Sequence, residues 1–90
     1  MPRISKEVVI KNAQGLHARP AALFVQIATK HNVEVTIQKD DVKVNGKSIM
    51  GILTLGAQQN AVVVLEADGD DAEKVLFELE ELLTKEKFDE

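Results

Sequence analysis

The sequence predicts an α+β fold in which four antiparallel strands form one sheet and three helices cover a single face of it. Apolar β-branched residues alternate with polar ones over 33–38 and again over 42–44, which is the period of strands with one wet face. Near the end of the chain, an apolar stripe at helical spacing follows Asp70. The elements come in the order βαββαβα, a split βαβ unit that occurs twice.

The first half of the chain reads as a strand, a helix and a hairpin. Residues 5–11 contain a β-branched run and are followed by the turn formers Asn12 and Gly15, which predicts the first strand. Residues 18–30 repeat alanine and valine at helical spacing, which predicts the first helix. The two alternating segments meet at Asp40-Asp41, which indicates a hairpin.

The second half predicts two helices and one strand. Asn45-Gly46 closes the hairpin with residues that tolerate positive φ, and a short helix follows Ser48. Residues 61–67 are a buried-looking strand. Asp70 and Glu73 form a capping box for the last helix. Its apolar stripe consists of Ala72, Val75, Leu76, Leu79, Leu82 and Leu83.

Composition narrows the function classes. A chain of 90 residues is enough for one domain, spanning 1–90, and its net charge of −4 argues against a nucleic-acid partner. No apolar run approaches the roughly 20 residues that span a bilayer, and Met1-Pro2-Arg3 does not begin a signal peptide, so we expect a cytoplasmic protein without membrane insertion. The absence of cysteine and the presence of only two separated histidines, His17 and His31, lead us to expect no metal and no cofactor.

The segment Gly15-Leu16-His17-Ala18-Arg19-Pro20-Ala21 indicates phosphoryl chemistry. Pro20 suits the first turn of a helix, so His17 falls at or near the N-cap. The backbone N–H groups of Ala18 and Arg19 would then point toward the imidazole and bind a phosphoryl group, and the Arg19 guanidinium would stabilise its charge. A neutral imidazole is a nucleophile, so we predict His17 as the phosphoryl acceptor. The residues alone leave open that His17 is an ordinary cap or surface residue.

No glycine-rich nucleotide loop accompanies this segment, so the phosphoryl donor must be another protein and we expect no independent turnover. Ser48 reads first as a helix N-cap. A phosphate at a helix N-terminus is electrostatically favourable, so modification of Ser48 would not need to unfold the segment. We expect partner docking at Leu16, Ile49, Met50 and Leu53, with Met50 the best exposed candidate. Spacing favours the core for Ile52 and Leu55.

The seven residues 15–21 resemble the active-site signature of HPr, the histidine-containing phosphocarrier protein of the bacterial phosphoenolpyruvate:sugar phosphotransferase system. The stretch 47–56 resembles the regulatory serine segment of the same family. The resemblance covers nearly the whole chain and implies an HPr-like open-faced β-sandwich, with a four-stranded antiparallel sheet and three helices on one face. Asn60 stands in the turn before the last strand, where the family often has glycine, so we expect positive φ there.

The resemblance also implies a pathway for the phosphoryl group. His17 would accept it on Nδ1 from enzyme I and pass it to IIA domains of sugar permeases, with Arg19 assisting. Ser48 would be the serine that HPr kinase/phosphorylase modifies, which slows phosphorylation of the histidine and can create a ligand for a catabolite regulator. We expect a monomer that acts as a stoichiometric carrier.

The sequence leaves two alternatives open. The ending Phe88-Asp89-Glu90 looks like the carrier of the nitrogen-related phosphotransferase branch, although 47–56 looks more like the sugar-branch protein. A purely regulatory HPr-like binding protein is the second alternative. Such paralogues replace the active-site histidine, whereas His17 is present here. We assign no function to His31, which we place beside Lys30 at the C-terminal end of the first helix, where a cationic group complements the negative end of the dipole.

Overall fold

A computed structural model describes residues 3–86 of the chain. Its seven elements follow the predicted order. They are β1 (Arg3–Val9), α1 (Ala18–Thr29), β2 (Glu34–Lys39), β3 (Val42–Asn45), α2 (Ile49–Thr54), β4 (Val62–Asp68) and α3 (Ala72–Thr84). None of the helices within 3–86 is long and apolar enough to cross a membrane. The ending Phe88-Asp89-Glu90 lies outside the described residues.

The strands form one sheet in the order β1-β4-β2-β3, and every neighbouring pair is antiparallel. β1 and β2 therefore run parallel to each other with β4 between them, and α1 connects them. β3 and β4 are related in the same way across β2, with α2 as their connection. This is the doubled split βαβ arrangement that the element order predicts.

Burial alternates along the strands, which gives the sheet one covered face and one open face. In β4, Val63 and Leu65 are completely buried, whereas Val62 and Val64 remain exposed on the outer side. Helices pack on the covered face, where Phe24 of α1 is also completely buried. The α+β open-faced sandwich is confirmed.

The predicted hairpin is confirmed, and so is the positive φ of Asn60, at 76°. Asp40 of the hairpin turn also has positive φ, at 54°. Asn45 and Gly46 close the hairpin segment as predicted, but neither residue uses its tolerance of positive φ. Gly46 is needed for space: a Cβ there would lie 2.6 Å from Cγ1 of Val35, close to the ring of Phe24.

Several predicted boundaries also change, each by one or two residues. β1 ends at Val9 and not at Lys11, because the Lys11 N–H donates to the carbonyl of Leu83 (2.8 Å) at the end of α3. The capping box of Asp70 and Glu73 is wrong. The N-cap of α3 is Asp71, whose side chain makes no cap hydrogen bond.

Candidate functional site

His17 occupies the N-cap of α1, as the position of Pro20 predicts. Its carbonyl accepts the first hydrogen bond of the helix, from the N–H of Ala21 at 3.0 Å, while its own backbone is extended (φ −90°, ψ −166°). The half-buried imidazole makes no cap hydrogen bond. The histidine therefore holds the cap position without using its ring nitrogens to stabilise the helix.

The loop before His17 is held by backbone hydrogen bonds. The N–H of Gly15 donates to Asn12 O (2.9 Å), the N–H of Leu16 donates to Ala57 O (2.9 Å), and the N–H of His17 donates to Gly15 O (3.0 Å). Gly15 has φ of 73°, and a Cβ there would lie 2.6 Å from the carbonyl oxygen of Ala57. Only glycine fits this close approach.

The surroundings of the imidazole favour an anion. The first backbone N–H groups of a helix have no intrahelical carbonyl to which they can donate. In α1 these N–H groups begin at Ala18. The first turn contains no acidic residue, and it carries the exposed Arg19. The positive end of the helix dipole and the guanidinium thus lie at the same end of α1 as His17.

Ser48 is the N-cap of α2, as predicted, and its Oγ accepts a hydrogen bond from the N–H of Gly51 at 3.0 Å. The backbone at Ser48 is extended (φ −118°, ψ 112°). Its own N–H donates to the carbonyl of Asn45 at 3.1 Å, so the end of β3 leads directly into the cap. The hydroxyl is therefore a structural cap in the unmodified protein.

The docking residues predicted beside Ser48 separate into exposed and buried groups. Met50 is 71% exposed and Ile49 is 41% exposed, while Leu53 is partly buried against the core. Ile52 and Leu55 are buried, as their spacing predicts. α2 packs beside α1, the helix that begins at the imidazole.

The prediction that Leu16 belongs to the docking surface is wrong. Leu16 is only 4% exposed and is part of the core cluster. The N–H of Leu16 is bound to Ala57, which directs the residue inward although its neighbour His17 remains half-buried at the surface. Adjacency to His17 in the sequence does not place the Leu16 side chain on the same surface.

His31 lies just after the end of α1, as predicted, and its side chain also contacts two acidic residues of the α3 region. Its side chain is 11% exposed, with Nδ1 at 3.3 Å from Oδ2 of Asp71 and Nε2 at 3.7 Å from Oε2 of Glu78. It therefore connects the end of α1 to α3. Within residues 3–86, no group of three or more His, Asp or Glu side chains is placed to hold a metal ion.

One feature of the site region has no distinctive sequence signal. Asn12 reads only as a turn former, yet its side chain reaches the carbonyls of Leu82 and Lys85 at the end of α3. The partners lie at the opposite end of the chain, so no local pattern indicates the contact.

Comparison with known proteins gives a consistent result. The family profile described as "PTS HPr component phosphorylation site" matches residues 4–85. The chain is 41% identical over 83 residues to the HPr-like protein Crh of Halalkalibacterium halodurans, covering 92% of this chain and 99% of that protein.

Solved structures give the same match. The crystal structure of phosphocarrier protein HPr from Bacillus anthracis superposes with a TM-score of 0.88 at 38% identity, covering 92% of this chain and 99% of that one. The crystal structure of an HPr dimer from Thermoanaerobacter tengcongensis has a TM-score of 0.69 at 55% identity, covering 83% and 86% respectively. From the matched profile, the identity to these relatives and the shared fold, the chain belongs to the HPr family.

Proposed function

We propose that this protein is a phosphocarrier of the phosphotransferase system, which accepts a phosphoryl group from phospho-enzyme I on His17 and passes it to IIA domains of sugar permeases. The observation that carries the proposal is the His17 ring, which sits at the N-cap of α1 and makes no cap hydrogen bond. A ring that only capped the helix would accept a bond from the first turn.

The residues of the site fit a reversible transfer. A lone pair of the neutral imidazole, on Nδ1 by the family resemblance, attacks phosphorus as the bond between phosphorus and the donor breaks, and the other ring nitrogen keeps its proton. The charge of the transferred group develops at the N-terminal end of α1, next to Arg19. With no acidic residue in the first turn, no carboxylate of that turn opposes the incoming phosphate. The protein contributes the acceptor and the electrostatic environment, and each partner contributes its own half of the reaction.

The same proposal includes regulatory phosphorylation at Ser48 by an HPr kinase/phosphorylase. Oγ already accepts the N–H of Gly51, and a phosphate oxygen can take over that role at the start of α2. The added charge would lie beside Ile49 and Met50, the exposed apolar residues of α2. Its effect would therefore fall on docking with enzyme I, and the modified surface could be bound by a catabolite regulator.

The similarity to Crh, an HPr-like protein, supports a second candidate: a purely regulatory binding protein that carries no phosphate on histidine. The presence of His17 favours the carrier. A carrier of the nitrogen-related branch shares the His17 chemistry and differs in its donor.

We propose a cytoplasmic protein that transfers as a monomer. Because the HPr of T. tengcongensis has been crystallised as a dimer, the association state should be measured. Sedimentation of the phosphorylated and the unphosphorylated protein measures it.

The test is phosphorylation by phosphoenolpyruvate with each enzyme I of the host, followed by transfer to a purified IIA domain. His17→Gln and His31→Gln form a matched pair, because each removes one of the two imidazoles. We expect His31→Gln to carry phosphate to IIA and His17→Gln to carry none. The enzyme I that serves as donor identifies the branch. A parent protein that stays unphosphorylated with every donor, yet binds a regulator when Ser48 is phosphorylated, would establish the regulatory candidate instead.

A further inference from the structure

Asn12 is completely buried, and it is the only polar or charged side chain in the core of residues 3–86. Its Nδ2 donates to the carbonyl oxygen of Leu82 at 3.1 Å and to that of Lys85 at 2.6 Å. Carbonyl oxygens only accept hydrogen bonds, so these two partners require the NH₂ group, and not Oδ1, to face α3. The amide orientation is fixed by chemistry.

The backbone on both sides of Asn12 makes the same kind of contact. The N–H of Lys11 donates to Leu83 O at 2.8 Å, and the N–H of Ala13 donates to Glu86 O at 2.9 Å. The last carbonyls of a helix have no partner within the helix. Residues 11–13 therefore act as an external cap for the C-terminal end of α3.

This capping loop leads directly to the phosphoryl acceptor. The carbonyl of Asn12 accepts the N–H of Gly15, and the carbonyl of Gly15 accepts the N–H of His17. The side chain of Asn12 thus binds α3 at one end of a series of hydrogen bonds, and the other end of that series is His17, the N-cap of α1. The two helix ends, the C-terminus of α3 and the N-terminus of α1, are connected through Asn12.

Packing alone does not account for an asparagine at this position. Its Oδ1 is buried and has no hydrogen-bond partner among residues 3–86. An apolar side chain would fill the space without that unfavourable atom, but it would offer no donor to the carbonyls of Leu82 and Lys85. The observed contacts are the specific gain that the amide provides.

We propose that Asn12 is a positioning residue for phosphoryl transfer: by fastening the loop to the C-terminal end of α3, it sets where the His17 imidazole stands at the start of α1. The inference rests on the proposed carrier function. Transfer requires the attacking nitrogen to be aligned with the phosphorus, and a displacement of about 1 Å can cost about 100-fold in rate.

The test compares Asn12→Ala with Val75→Ala, which creates a cavity at a completely buried position on α3. Both are assayed for transfer from phospho-enzyme I at a temperature where circular dichroism shows both to be folded. For Asn12→Ala we expect kcat to fall by about tenfold or more with KM nearly unchanged, because the exposed residues of α2 are intact. For Val75→Ala we expect parental kcat. Equal kcat values in the two variants would overturn the proposal.

Hydrogen exchange of the parent protein decides the matter even if Asn12→Ala does not fold. The amides of Gly15 and His17 should exchange through the same opening as those of Lys11 and Ala13, with matching protection and matching response to denaturant. Exchange of Gly15 and His17 that is independent of residues 11–13 would overturn the proposal. Hydrogen exchange does not depend on phosphorylation. If no enzyme I phosphorylates the protein, the proposed function is contradicted, but exchange still measures whether residues 11–13 are coupled to His17.

Discussion

The hydroxyl of Ser48 accepts a hydrogen bond from the N–H of Gly51 at 3.0 Å, so the proposed regulatory site is also the N-cap of α2. Capping requires an acceptor oxygen at this position, whereas regulation requires a change of charge. The two roles therefore depend on different properties of one side chain, and substitutions can separate them.

Ser48→Asp and Ser48→Ala should each change one property and leave the other nearly parental: Asp should affect transfer, and Ala should affect stability. Aspartate keeps the acceptor and suits a helix N-terminus, so its melting temperature should stay close to that of the parent. Alanine loses the cap, at a cost of about 0.5–2 kcal/mol, which is typically a decrease of several degrees in melting temperature.

Phosphorylation of His17 by enzyme I should show the reverse order. Ser48→Asp should raise the apparent KM, because its charge must lose water when an apolar surface docks beside Ile49 and Met50. Ser48→Ala should be phosphorylated at nearly the parental rate. Equal rates for the Asp and Ala variants would leave Ser48 as a helix cap without a regulatory role.

Arg19→Ala should slow transfer to His17 by about tenfold or more, since the guanidinium stabilises charge on the transferred group while His17 still forms the bond. Lys30→Ala is the matched control. It removes the same charge from the other end of α1, where Lys30 Nζ lies 3.6 Å from Oε1 of Glu78. Stopped-flow measurement in both directions of transfer checks the prediction. If Arg19→Ala and Lys30→Ala have the same rates, Arg19 does not belong to the site.

Met50→Gln should weaken docking of enzyme I, raising KM with kcat nearly unchanged, because a 71% exposed apolar side chain contributes contact area and little to folding. Phe77→Gln is the control on another surface: Phe77 of α3 is also largely exposed, at 62%. Titration with enzyme I by calorimetry compares the two. A larger loss of affinity for Phe77→Gln would place the docking surface on α3.

Leu16→Ala should act on stability and not on docking. Leu16 is buried in the core, so truncation should cost about 2–5 kcal/mol of unfolding free energy. Denaturant unfolding measures this cost. A variant of parental stability that no longer binds enzyme I would return Leu16 to the docking surface.

Local patterns predicted most of this fold because each element carries its own signal. The alternation in β2 and β4 and the stripe of α3 each identify one buried face, and Pro20 locates the start of α1. The position of His17 followed from that start. These signals are contained in a few neighbouring residues, so a single sequence displays them.

Long-range contacts account for what the sequence did not show. Asp70 and Glu73 have the spacing of a capping box, but the helix begins one residue later, with Asp71 as its N-cap. The Oδ2 atom of Asp71 lies 3.3 Å from Nδ1 of His31, a residue that follows the end of α1. β1 stops at Val9 because the chain turns to meet α3. The role of Asn12 depends on carbonyls at the opposite end of the chain. Each of these outcomes needs the assembled tertiary structure.

The most direct test of the carrier function is the mass of the intact protein after incubation with phosphoenolpyruvate and the host enzyme I, kept at neutral or alkaline pH. We predict the addition of one phosphoryl group, located on His17 by fragmentation, retained in His31→Gln and absent in His17→Gln. A phosphoryl group on any other residue, or full labelling of His17→Gln, would contradict the account.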